Sequence, residues 1–152
     1  MELYRLSRFS FSHTLSGFGA SIKGARWNSP GVELVYTSSN RSLAMAEVAV
    51  HLTMATLPDD FMMITIHVPV EVKIKEVPVK SLPPDWKDFP HPPSTQKFGD
   101  SFVNENKYCI LKIPSVITKG DYNFLINPKH RDFKKIKITS GEKFPFDKRI
   151  FK

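Results

Sequence analysis

Apolar and polar positions alternate in short runs along most of this chain, and one longer, mainly apolar stretch interrupts them. Residues 3–6 predict a short first strand. Over 32–37 the alternation puts Leu34 and Tyr36 on one face of a second strand. Ser38, Ser39 and Asn40 then offer three N-caps in a row. After them Leu43, Ala44, Met45, Ala46, Val48, Ala49, Val50, Leu52, Met54 and Ala55 cover almost the whole helical circumference. This pattern predicts a helix over 40–57, buried on most sides and stopped by Pro58. Residues 61–68 read as an apolar strand, and 72–77 alternate as an edge strand does.

Further along, 108–113 predict a central strand that ends at Pro114, and 133–139 and 144–150 predict two more. Residues 12–31 are rich in Gly and Ser and read as a long loop. Five prolines between 81 and 94 exclude regular structure, so this segment is expected to be an irregular flap, followed by a short helix over 95–104. The sum is one α+β domain over 1–152, with mixed or antiparallel sheets and a dominant buried helix near 40–57.

Composition fits that picture. An apolar fraction of 41% and an aromatic fraction of 12% belong to a folded globular chain. No run reaches the roughly 18 apolar residues of a membrane span. The start, Met1-Glu2-Leu3-Tyr4-Arg5, lacks the apolar core of a signal peptide. One cysteine, Cys109, lies in an apolar run and reads as a buried, inert thiol. A cytoplasmic location is expected. The net charge is +7, and residues 129–152 hold nine Lys or Arg against three acids. That segment suits nucleic acid, an acidic partner, an anionic substrate or plain solvation.

Several chemistries fail on spacing. In Gly17-Phe18-Gly19-Ala20-Ser21-Ile22, Ile22 stands where a dinucleotide fold requires its third glycine. Gly24 is followed by Ala25 and Arg26, which excludes a P-loop. The five histidines are scattered without zinc-site spacing, and no metal is expected. No serine-hydrolase elbow is present. His51, one turn after Glu47, reads as a structural histidine.

Glu47 is what remains. It is the only acid of the 40–57 helix, and its neighbours one turn away are Leu43, Ala44, Val50 and His51. A carboxylate in that setting needs a partner, and such carboxylates cluster at active sites. A buried Glu–Arg packing pair is the bland alternative. Arg26, at the end of the Gly-rich loop, is the natural cation, and Tyr36, at the end of the strand leading into the helix, is the natural aromatic wall.

Taken in order, several segments resemble the RES-domain family. They are Tyr4-Arg5, Leu15-Ser16-Gly17-Phe18-Gly19-Ala20, Gly24-Ala25-Arg26-Trp27-Asn28-Ser29-Pro30-Gly31, Val35-Tyr36-Thr37-Ser38 and Ala44-Met45-Ala46-Glu47. Phe98-Gly99-Asp100-Ser101, Ile113-Pro114-Ser115-Val116, Asn123-Phe124-Leu125-Ile126-Asn127-Pro128 and Phe146-Asp147-Lys148-Arg149 continue the series. One departure is Ala25, where a second glycine is expected before the arginine. The resemblance implies an ADP-ribosyltransferase-like fold. It also implies a bacterial toxin that consumes NAD as substrate, needs no resident cofactor, and is neutralised by an Xre-type helix-turn-helix antitoxin covering the active site in a hetero-oligomer. It places Arg26, Tyr36 and Glu47 on the family's active-site Arg, Tyr and Glu, and Arg5 and Ser115 on positions of the same pocket. The activity expected is cleavage of the nicotinamide–ribose bond by water or phosphate. ADP-ribosyl transfer to a protein is the alternative, and a basic RNA-binding module or ribonuclease is a more distant one. Direct nucleic-acid binding is not expected under the leading reading.

Overall fold

A computed structural model describes residues 1–151. Seven strands form one sheet: β1 (Glu2–Arg8), β2 (Val35–Ser38), β3 (Phe61–His67), β4 (Ile74–Glu76), β5 (Ile110–Pro114), β6 (Tyr122–Ile126) and β7 (Lys137–Lys143), in the order β4-β5-β6-β2-β1-β3-β7. Every neighbouring pair is antiparallel except β4–β5. The edge position expected of the 72–77 segment is confirmed, and its pairing with β5 is parallel. None of the helices among the described residues is long and apolar enough to cross a membrane.

The pleat of β5 and β6 sends apolar side chains to both faces. Ile110, Phe124 and Ile126 join one cluster with Leu3, Val35, Ile64 and Ile66. Leu111, Ile113 and Leu125 join another with Trp27, Leu34, Trp86, Phe102 and Val103. Helix α3 (Pro93–Glu105) and the proline-rich flap cover the second face, and so bury these strands on both sides. Leu6, Ala44, Phe61 and Met63 form a third, smaller cluster beneath helix α2. A short helix α1 (Phe18–Lys23) lies inside the segment read as a loop.

Helix α2 runs only from Arg41 to Ala49. Asn40 caps it as expected, its Oδ1 accepting from Leu43 N–H at 2.8 Å. Its end is eight residues short of the predicted one. Thr53 and Thr56 satisfy each other's termini in a capping box, and a separate 3₁₀ turn forms over Met54–Thr56. Only Leu43 and Ala44 of α2 are buried, so the burial on most sides expected of it is corrected. Part of its apolar surface lines a cavity. The longest helix is instead α3, with 13 residues.

Two strand expectations are also corrected. Within 133–139, Phe133 belongs to a 3₁₀ turn, Arg131–Lys135, and the strand begins at Lys137. Residues 144–150 form no strand. Phe144 and Phe146 turn edge-to-face on each other, and Phe146 does the same on Phe61 and Phe151. Strand β6, not foreseen, lies beside β2 and brings Asn123 level with Ser38.

Candidate active site

A cavity of about 680 Å³ opens where the middle of β1 and residues of β2, β5 and β6 meet α2, the Gly24–Trp27 loop and the flap. Its size is that of a small-molecule cleft. Arg5, Arg26, Tyr36 and Glu47 all line it. Four residues singled out in the sequence, from three strands or loops and one helix, are therefore brought together.

Glu47 is half-buried on the cavity face of α2. Its Oε1 accepts from Asn123 Nδ2 at 2.7 Å and from Ser115 Oγ at 3.2 Å. Its Oε2 has no protein partner among the described residues. The carboxylate is thus fixed through one oxygen and open to a ligand through the other. No hydrogen bond joins it to His51 among the described residues, and His51 is exposed at the rim.

Ser115 does not stand on the cavity wall. It is buried, and its hydroxyl oxygen also accepts from Ile117 N–H at 3.0 Å and Thr118 N–H at 3.2 Å. Its contact is with Glu47, from behind. Asn123, absent from the sequence-derived site, is on the wall. Ser38 Oγ donates to Asn123 Oδ1 at 3.2 Å, which turns the amide nitrogen toward Glu47. The one sequence signal was a polar residue inside an apolar run, Tyr122-Asn123-Phe124-Leu125-Ile126.

Tyr36 is held by its hydroxyl, which donates to Asn28 Oδ1 at 2.6 Å and accepts from Trp27 N–H at 3.1 Å. Burial pushes its pKa up, against the pull of the Trp27 hydrogen bond. With the hydroxyl committed, the ring is what Tyr36 offers the cavity. Arg26 donates from a single nitrogen, Nη1, to the carbonyls of Trp86 and Asp88, both at 2.8 Å. Burial lowers its pKa, while the charges of Glu47, Tyr36 and Asp88 oppose the change. Arg26 and Glu47 interact through the cavity, and no direct ion pair joins them among the described residues. Arg5 Nη1 donates to Ser16 carbonyl at 3.4 Å, and burial lowers its pKa as well. Cys109 is fully buried, and burial pushes its thiol up to about 12.

The loop carrying Arg26 is clamped from several sides. Gly24 has φ +75, and a Cβ there would lie 2.9 Å from Asn28 O and Pro30 Cδ. Ser29 donates to Asp100 from its N–H (2.9 Å) and its hydroxyl (2.5 Å). Gln96 Nε2 donates to the carbonyls of Ala25 and Asn28 at 3.2 Å. Such a loop presents its arginine with little freedom to lose on binding.

Fold and cavity define a class: an α+β domain in which one carboxylate faces arginines and an aromatic ring. The chain belongs to the RES-domain family, whose domain pattern matches residues 2–147. It is 39% identical over 140 residues to a protein of Sphingobium sp. (strain YBL2) named Prs ADP-ribosylating toxin, covering 91% of this chain and 87% of that one. It is 33% identical over 154 residues to Toxin Res of Photorhabdus laumondii subsp. laumondii, covering 100% and 98%. Among solved structures it matches a chain of the M. tuberculosis MbcT–MbcA toxin–antitoxin complex, with a TM-score of 0.75 at 17% identity over 95% of this chain and 84% of that one. The single α+β domain expected from the sequence stands, and its fold is that of the matched chain.

Proposed function

We propose that this chain is the toxin of a bacterial toxin–antitoxin pair and that its cavity cleaves NAD at the nicotinamide–ribose bond. The observation that carries the reading is Glu47, whose carboxylate is pinned through Oε1 and open through Oε2 in a cavity otherwise charged by Arg5, Arg26 and Lys87. In NAD the C1′–nitrogen bond breaks with both electrons going to nicotinamide, which leaves neutral. No acid is needed to protonate it, so one carboxylate suffices where ordinary glycosides need two. Glu47 stabilises the positive charge that develops on the ribose. Arg5 and Arg26 supply the positive potential for the pyrophosphate. The Tyr36 ring packs against the nicotinamide riboside and limits its conformers. Ser115 acts through Glu47 by holding it. A nucleophile, water or phosphate, then adds to C1′ and gives up its proton.

Purified protein incubated with NAD should release nicotinamide, and Glu47→Gln should remove most of that activity together with toxicity on expression. Product analysis with and without phosphate separates phosphorolysis from hydrolysis. Intact NAD under both conditions overturns the reading. A second reading, transfer of ADP-ribose to a protein, is favoured by the name of the Sphingobium relative. Mass spectrometry of cellular proteins after expression would reveal the adduct.

The partner in this reading is an antitoxin, of the Xre helix-turn-helix type, that covers the cavity in a hetero-oligomer. The match to a toxin–antitoxin complex supports a partner of that kind. The site of action is the cytoplasm, where NAD is consumed.

A further inference from the structure

The flap reaches the cavity with Lys87, so far counted only as a charge, and with Phe89, which the roles above leave unused. Trp86 anchors it in the core, and the carbonyls of Trp86 and Asp88 are both held by Arg26 Nη1. On this tethered segment Lys87 and Phe89 line the cavity. Phe89 is 85% exposed, although a phenyl ring gains most by burial. Lys87 forms no ion pair among the described residues, and its ammonium lies 5.3 Å from the centroid of the Trp86 ring.

The other aromatic rings on the cavity wall are differently engaged. Trp27 is buried and packs edge-to-face on Phe98. The Tyr4 ring is covered by the Arg41 guanidinium, 4.6 Å from its centroid. Tyr36 stands within β2, the strand that leads into α2. Phe89 is therefore a second free ring, on another segment, with its own cation two residues away. A ligand that matches two aromatic faces, cations and one carboxylate has two planar bases joined through phosphates. Glu47 takes the ribose from which the base departs, and this leaves the other half of the ligand for the flap.

We infer that Phe89 and Lys87 bind the adenylate half of the dinucleotide, the adenine stacking on Phe89 and a phosphate pairing with Lys87. Arg26 is, in addition, a positioning residue that holds the flap carbonyls so that both side chains face the cavity. This inference rests on reading the cavity as a dinucleotide site.

The test is calorimetric titration of the full chain with ADP-ribose, alongside a separate assay of nicotinamide release from NAD. Wild-type protein should bind ADP-ribose. Phe89→Ala should weaken binding about tenfold, since stacking on an aromatic ring carries an effect of that order. Phe89→Trp should restore it, because the stacking face returns. Lys87→Gln should weaken binding and flatten its salt dependence. Phe89 is exposed, so its variants should fold, and thermal melts will verify this. Val70→Ala, at a residue that is 99% exposed and not on the cavity wall, is the control. With NAD, Phe89→Ala should raise KM. The preference for NAD over nicotinamide mononucleotide in kcat/KM should fall by the same factor.

The inference is overturned if wild-type protein fails to bind ADP-ribose. It is also overturned if Phe89→Ala binds ADP-ribose as tightly as wild type, or if NAD turnover proceeds with an unchanged KM in that variant. Binding that depends on Phe89 without any NAD turnover would instead overturn the proposed cleavage and leave this inference standing.

Discussion

The amide nitrogen of Asn123 donates to Glu47 Oε1 at 2.7 Å, across 76 residues of sequence. It is the shorter of two hydrogen bonds that fix the carboxylate, and the amide's own orientation is set by Ser38. A hydrogen bond to a charged group contributes about 1.5–3 kcal/mol. Asn123→Ala should therefore lower kcat/KM for NAD by roughly 10- to 100-fold through misplacement of Glu47. Ser115→Ala should lower it too. That variant also deprives the Ile117 and Thr118 N–H groups of their acceptor, so its melting temperature should fall further than that of Asn123→Ala. Steady-state kinetics and thermal melts of both variants check the distinction. Equal kinetics in Asn123→Ala and wild type would remove Asn123 from the site.

Gly99 is where α3 touches the loop behind Arg26. A Cβ at this position would lie 1.6 Å from the carbonyl oxygen of Trp27 and 2.7 Å from its carbon. The obstacle is backbone, so no rotamer change relieves it. Gly99→Ala should destabilise the fold by about 3 kcal/mol or more, and the Ser29–Asp100 hydrogen bonds should go with the displaced helix. Urea denaturation measures the loss. A variant as stable as wild type would mean that α3 does not sit this close.

Arg26→Lys keeps the charge and loses the grip. One guanidinium nitrogen holds both flap carbonyls at 2.8 Å, from a planar group of fixed reach. An ammonium on a shorter, flexible stem cannot reproduce both bonds together with a contact to substrate. Hydrogen exchange across residues 82–91 should accelerate in this variant while that of β5 and β6 stays at the wild-type rate. Unaltered protection of the flap would show that its own prolines and Trp86 hold it without Arg26.

The residues with strong local signals were the ones legible in the sequence. Glu47 stood out as an acid among apolar neighbours and Asn40 as one of three candidate caps, and the strands read over 61–68 and 108–113 form over Phe61–His67 and Ile110–Pro114. The extent of α2 was not legible, because periodicity reads apolar residues that line a cavity as residues buried in a core. Val50 is 59% exposed for that reason. Asn123 was hidden by register: nothing local announces that β6 lies beside β2 with Asn123 opposite Ser38. The family resemblance places Ser115 at the pocket, and the structure turns its hydroxyl onto Glu47. Arg26's partners are backbone carbonyls, and these carry no side-chain signature at all.

Alkaline stability should report the two buried acids of the core and the cavity wall. Burial raises the Cys109 thiol from its ordinary 9.0 to about 12 and raises the Tyr36 phenol as well. Both groups stay protonated in the folded chain at a pH where the unfolded chain has begun to release their protons. The unfolded state then binds fewer protons than the folded one, so stability falls as pH rises. The contribution of Cys109 is fully present below about pH 9 and is lost progressively as pH rises toward 12. Urea denaturation at a series of pH values from about 8 to 11 should show this decline. Cys109→Ala should make it shallower, because one of the two linked protons is gone. An equally steep decline in that variant would show that the thiol does not carry this share of the linkage.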